Sequence, residues 1–441
     1  MRQTNILITF IILVSLSSLV LLFHQPTAES NTEKSNPVGK TGSEVKVGPE
    51  DWPWWRGPNR DGISVSKKSP PLIWSTTENV LWKTPLPGKG HGSPTIVGNQ
   101  IFLATADKTK ELQSVLCLDR NNGKRVWTTD IHKGKLNTKG NEKSSEASST
   151  VACDGKNLFV SFLNGGAIYT TSLDRKGKQI WQQKIADYVV HQGYGASPVI
   201  HGPLVIVSAD SRAGGAVKGL NRLDGTVVWE VKRPKKPNYV SPVVHKVAGR
   251  EQLIIFGCDL VSSFEPLTGK KIWEIEGATT ESVTTTVTHD GLIFTSGGYP
   301  RNHVEAVKAD GSGKVAWKNG VRVYVPSMII RDGYLYAVTD AGIAHCWKAG
   351  DGTSMWKGRI SGTFTASPTI AGDHFFATNE NGKTYVLKAN PGAFQVIQEN
   401  DLGGQVYSTP TFCAGRIYVR VGHGAGEKRR ETLYCIGTAG R

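Results

Sequence analysis

The sequence predicts an all-β fold: an eight-bladed β-propeller of four-stranded antiparallel blades, closed by an N-terminal outer strand that joins the C-terminal blade. Two repeating observations carry this. A glycine is followed four residues later by tryptophan at Gly123/Trp127, Gly177/Trp181, Gly225/Trp229, Gly269/Trp273, Gly313/Trp317 and Gly352/Trp356. Each interval between these pairs also holds a serine- or threonine-rich start followed by β-branched residues. Successive units are 39 to 54 residues apart, and self-similarity at such a period marks propeller blades.

Taken in chain order, the first unit is incomplete: Trp82, in Asn79-Val80-Leu81-Trp82, has an outer strand and no inner three. Six full units follow, and a seventh, Gly392 to Val396, keeps the glycine without the indole. The inner strands are announced by Ser93-Pro94, Ser149-Thr150, Ser197-Pro198, Ser241-Pro242, Thr285-Thr286, Pro326-Ser327, Ser367-Pro368 and Thr409-Pro410. Apolar runs such as Ile101 to Ala104, Leu204 to Val207, Tyr334 to Val338 and Ile417 to Val421 supply the second strands. Turn formers ending in glycine, as in Asp119 to Gly123 or Glu265 to Gly269, separate the third strand from the outer one. The tryptophan then falls on the outer strand, and its apolar neighbours Val126, Ile180, Val228, Ile272, Ala316 and Met355 predict burial of both faces there. The last unit, Ser408 to Gly437, has three strands, so pairing Asn79–Pro85 beside Thr432–Gly437 completes it and closes the ring.

Flanking segments differ in character. Ile6 to Phe23 carries no charge and follows Arg2, which predicts an export signal or membrane anchor within residues 1–28 and places the rest outside the cytoplasm, in the periplasm or envelope. Residues 29–50 are polar, glycine- and proline-containing, and are expected to be a disordered linker; 51–437 form the propeller and 438–441 a tail. With 50 glycines in 441 residues and ordinary hydrophobicity, collagen, wholesale disorder and a polytopic membrane protein are excluded. The six cysteines form no CxxC or adjacent pair, and the only candidate bridge is Cys413 with Cys435, both in the last blade. Eleven scattered histidines show no zinc spacing. The net charge of +15 is spread along the blades rather than clustered with aromatics, and with export it argues against nucleic acid.

The Leu118-Asp119 and Leu173-Asp174 turns with their Gly-x-x-x-Trp ends resemble the repeat of pyrroloquinoline-quinone (PQQ) type propellers. The opening Asp51-Trp-Pro-Trp-Trp-Arg-Gly-Pro-Asn-Arg-Asp-Gly62 resembles that of exported bacterial PQQ-like repeat proteins. The resemblance covers nearly all of 51–437 and implies the fold. On function it implies two routes. Quinoprotein alcohol dehydrogenases hold PQQ and calcium on the axis, whereas the outer-membrane protein assembly propeller, a lipoprotein, binds partner proteins without a cofactor. This chain lacks the adjacent-cysteine disulfide and the large inserted loops of the dehydrogenases, so no calcium ligand or catalytic aspartate is carried over.

In a four-stranded blade, the loop entering the inner strand and the turn between the second and third strands open on one face, around the axis. Just upstream of the inner-strand markers lie His91, Tyr194, Tyr239, Tyr324, Phe364 and Tyr407; at the ends of second strands lie Asp107, Asp210, Asp259, Asp340 and Glu380. A mouth lined by aromatic and acidic groups suits sugars, quinones or peptides. The same residues also serve as junction packing and hairpin chemistry. Lys133 to Lys143 is an insertion, and a loop of that length is often functional. The expectation is a non-catalytic envelope propeller binding a protein or polymer on its axial face, with no cofactor or metal and with membrane contact through its N-terminal segment. The alternative is a PQQ- and calcium-dependent oxidoreductase with Asp210 or Asp340 as base.

Overall fold

Among the described residues thirty-two strands form eight sheets of four, seven from consecutive strands and the eighth from the last three strands with the first. The computed structural model describes residues 45–137, 140–424 and 428–438. Blade 1 runs from the inner strand Thr95–Val97 through Gln100–Asp107 and Leu112–Asp119 to the outer strand Arg125–Lys133. Blades 2 to 8 repeat this plan from inner strands Ala152–Cys153, Val199–His201, Val243–Val247, Val287–His289, Ile329–Arg331, Thr369–Ala371 and Thr411–Cys413. Every ladder is antiparallel, and blade 8 takes Val80–Leu86 as its outer strand, with Lys83 opposite Tyr434 and Leu86 opposite Glu431. The eight-bladed, N-terminally closed propeller is therefore the observed fold. Among the described residues no helix is long and apolar enough to cross a membrane, and the apolar stretch Ile6–Phe23 lies outside them.

The core sits between blades rather than within them. In blade 2 all of Asn157–Asn164 is buried: Leu158 and Val160 pack with Phe102 and Val115 of blade 1, while Phe159 and Leu163 face Ile200 and Val205 of blade 3. A strand covered on both faces has no reason to alternate, which explains the continuous apolar runs in the sequence.

The outer strands behave differently from the expectation. Val126 is 56% exposed, Ile180 44% and Met355 39%. The blades splay with distance from the axis, so only the tryptophan side of each outer strand reaches a neighbour and the strand alternates as a half-buried edge. All six cysteines are free thiols; Cys413 donates to the Glu50 carbonyl, 3.0 Å away, and is not bridged to Cys435. The chain is already packed at Val45, upstream of the expected linker boundary: Val45 and Val47 join apolar clusters and the Lys46 amide donates to the Asp154 carbonyl at 3.1 Å.

The repeat glycine and tryptophan serve opposite sides of one seam. The indole N–H of Trp127 donates to the Arg175 carbonyl at 3.0 Å, that of Trp181 to the Arg222 carbonyl at 3.0 Å, and that of Trp317 to the Ala349 carbonyl at 2.7 Å. In each case the acceptor lies in the next blade's turn. The glycine of that turn lies under the incoming ring: a Cβ on Gly225, where φ is +77°, would lie 2.6 Å from Trp181. The inner-strand hydroxyls form a second belt. Backbone N–H groups of Ser93, Thr150 and Ser197 donate to the hydroxyls of Thr150, Ser197 and Ser241 in turn, at 2.9 to 3.0 Å. Thr285, Ser327 and Ser367 donate likewise to Ser327, Ser367 and Thr409, each at 2.9 Å. These bonds satisfy buried amides that a three-residue inner strand cannot pair.

Candidate functional site

One end of the axis is closed by the segment that opens the propeller domain. Trp52 bridges to Ile96 of blade 1, and Pro53 accepts from the Cys153 amide of blade 2. Trp55 Nε1 donates to Thr285 Oγ1 at 2.7 Å, and Arg60 donates to the Ile200 carbonyl at 2.6 Å while stacking 4.5 Å over Trp54. Arg56, only 2% exposed, donates to the Met328 carbonyl, and Ile63 bridges in parallel to Ile370. Two arginines and three tryptophans thus stopper the inner strands. Burial lowers both arginines to a pKa of about 10, still well above neutrality, so each remains charged.

The opposite face gathers the inner-strand entry loops and the second turns, and there the eleven expected site residues separate into distinct environments. Asp107 accepts from the Thr109 and Lys110 amides, each at 3.1 Å, and so serves its own hairpin turn. Phe364 is 1% exposed and packs with Tyr385 in the seam between blades 6 and 7. Asp210 is 3% exposed; it accepts from Arg233 Nε at 3.2 Å and Asn238 Nδ2 at 3.0 Å, forming a buried pair. Asp259 accepts from Lys236 at 2.6 Å and Thr280 at 2.8 Å. Burial opposes its charge, but these two donors outweigh it and hold the carboxyl below its usual range. Tyr194 donates to the Ser208 carbonyl at 3.1 Å and packs edge-on against Tyr188.

The remaining six converge in two groups. In the first, Tyr239 and Tyr324 lie near Glu281, whose carboxylate is 3.1 Å from His191 Nε2. Arg322 lies 4.8 Å over the Tyr324 ring, and the Tyr324 amide donates to Asp340 at 2.9 Å. Burial, then the nearby Glu281 carboxylate, raises the Tyr324 phenol to about 12; burial also raises the Asp340 carboxyl. In the second, the His91 ring packs at a tilt against Tyr407, centroids 4.8 Å apart, and Glu380 accepts from Lys143 at 2.8 Å and Thr365 at 2.6 Å. Lys143 enters from the loop that joins blade 1 to blade 2, and Glu380 belongs to blade 7, so this pair spans the mouth.

Sequence reasoning missed Lys89, Lys143, His191, Glu281 and Arg429. One signal was present: the two units without an aromatic before their hydroxyl, blades 2 and 5, carry Glu146 and Glu281 four residues upstream of Thr150 and Thr285. Beneath the insertion, Ser144, Glu146, Ser161 and Tyr194 line a cavity of about 10 Å³, roughly one water.

A quinone–calcium centre needs a converging set of oxygen donors. Among the described residues no group of three or more His, Cys, Asp or Glu is placed to hold a metal ion. Asp210 is committed to Arg233, and Asp340 to the Tyr324 amide. Both acids the oxidoreductase reading would use as base are thus engaged within the protein.

Comparison with known proteins adds the following. The family model described as outer membrane protein assembly factor BamB matches residues 111–358. No curated protein matches the chain in sequence. Among solved structures, BamB from Moraxella catarrhalis superposes with TM-score 0.58 at 14% identity, over 80% of this chain and 98% of that one. A europium-containing methanol dehydrogenase gives 0.63 at 12% identity, over 89% and 98%. The quinohemoprotein alcohol dehydrogenase of Comamonas testosteroni gives 0.64 at 13%, over 90% and 82%. At these identities the superpositions speak for the fold alone.

Proposed function

Because the chain belongs to the PQQ-repeat family described as outer membrane protein assembly factor BamB, we propose that it is an exported, non-catalytic propeller of the cell envelope that binds a protein or polymer across its axial face. Ile6–Phe23 directs its export and, as an uncleaved anchor, holds it near a membrane. The observation that supports this reading is the asymmetry of the axis. One end is stoppered by Trp52 to Ile63, while the other presents charged and aromatic side chains from the entry loops around the ring. Such a face offers rim charges for register and buried aromatics for contact area.

The dehydrogenase neighbours keep a second reading in play, a PQQ-dependent oxidoreductase, for which Asp210 or Asp340 would be the base. Against it stand the buried Asp210–Arg233 pair and the lack of a converging donor set among the described residues. Titration of the purified protein with PQQ and calcium, followed by quinone absorbance and dye reduction, separates the two. The binding reading expects no stoichiometric quinone uptake at micromolar concentration. Stoichiometric uptake with alcohol-dependent dye reduction would overturn it.

A further inference from the structure

Positive charge accumulates at one point of the axial mouth. Arg420 and Arg429 share a single carboxylate, Glu431, which is 1% exposed. Glu431 also accepts from the Gly90 amide at 3.2 Å, so its oxygens are fully occupied. Beside it, Lys89 donates to a neutral acceptor, the Ser144 carbonyl at 2.8 Å. Lys143 completes the group, and its carboxylate partner, Glu380, is borrowed from blade 7 across the mouth. With Glu142 also acting on Lys143, and Lys108 paired with Glu146 beside Lys89, five cations face four carboxylates. Burial and the nearby Arg429 charge depress the Lys89 ammonium, and burial with the same cations keeps the His91 imidazole neutral. The Nε2 atom of His91 is shielded from solvent and has no hydrogen-bond partner in the structure. A net positive charge in one partly buried notch is what an anion site requires.

We propose that the notch formed by Lys89, His91, Lys143, Arg429 and Tyr407 receives a side-chain carboxylate from an acidic peptide segment of the bound partner, and that Glu380 occupies it as an internal stand-in. Glu380 is itself a protein carboxylate seated between Lys143 and Thr365, beside Tyr407, so the notch already accommodates that group. A sugar ring is disfavoured because Tyr407, the aromatic it would stack on, is engaged by His91 at 4.8 Å and by Arg429 at 5.9 Å. A partner carboxylate would displace Glu380 from Lys143 and gain Lys89 in addition. This rests on the axial-face reading and supplies the chemistry of its ligand.

The test uses the full chain with a synthetic glutamate-rich peptide, a length-matched glutamine-rich peptide and inorganic phosphate as probes, read by calorimetry at two salt concentrations. The glutamate peptide is expected to bind more weakly at the higher salt and the glutamine peptide not at all. Glu380→Gln, which removes the internal competitor, is expected to tighten binding about tenfold, and Lys143→Gln or Lys89→Gln to weaken it by a similar factor. Thermal unfolding of each variant checks that it folds. Unchanged or weaker binding by folded Glu380→Gln would overturn the proposal, as would equal affinity for the two peptides or binding of phosphate alone. If the peptide binds as expected but no partner can be cross-linked to the axial face, the site stands and the functional reading fails. If a partner is cross-linked there and the peptide series shows none of these effects, the reverse holds.

Discussion

Asp210 shows how far a residue's role depends on what the fold brings to it. By position it is a candidate base at the end of a second strand; in three dimensions it is locked to Arg233 and Asn238 beneath the surface. Removing one partner of a buried pair leaves the other charge uncompensated, so Asp210→Ala is expected to cost about 3–5 kcal/mol of stability. The denaturant midpoint checks this, and an unchanged midpoint would return Asp210 to the list of available acids. The histidines give a pH dependence of known sign. Burial holds His245, His303 and His345 at a pKa of about 4, against an ordinary value of 6.5. Between those values the unfolded chain binds protons the folded chain does not. Stability is therefore full above pH 6.5 and is lost as the pH falls toward 4, by up to roughly 1.4 kcal/mol per pH unit for each histidine. A melting temperature that rises on acidification from pH 7 to pH 5 would contradict this. Neither role was legible in the sequence, because Arg233 lies 23 residues from Asp210 and the burial of the three histidines is set by blades on either side.

At the scale of elements, the repeat was legible as a pattern before its reason was. Glycine and tryptophan sit four apart in the sequence, yet Gly123, Gly177, Gly225, Gly269 and Gly352 receive the indole of the preceding blade rather than their own, and in blade 5 Trp273 lies over Gly311 in place of Gly313. Gly225 and Gly403 make a controlled comparison, since both have positive φ but only Gly225 lies under a ring. Gly403→Ala should cost about 1 kcal/mol for the backbone alone, whereas Gly225→Ala adds overpacking of about 1–3 kcal/mol. Equal melting temperatures for the two variants would count against the seam geometry. The Ser/Thr markers were likewise visible without their function, since the amide that each hydroxyl accepts belongs to a neighbouring blade some 40 to 60 residues away. The outer strands misled for a related reason. Apolar residues beside the tryptophan suggested two buried faces, but radial splay leaves Val126 and Ile180 at the perimeter.

For the whole molecule, blade number, strand order and closure all followed from counting units, because each unit is local and the ring is their sum. What counting could not supply is whatever occurs once. The stopper at Trp52 to Ile63 has no copy elsewhere in the chain, and Lys143 meets Glu380 across 237 residues of sequence. Those two single-copy features make the two ends of the axis unlike, and the proposed function depends on that difference. The most direct test places a photo-reactive residue at Arg212 or Lys235 on the axial face and at Lys270 or Lys314 on the opposite turns, all exposed, and cross-links within envelope preparations. A discrete adduct from the first pair and none from the second is the predicted result. Adducts from Lys270 and Lys314 alone, or equally from all four positions, would contradict it.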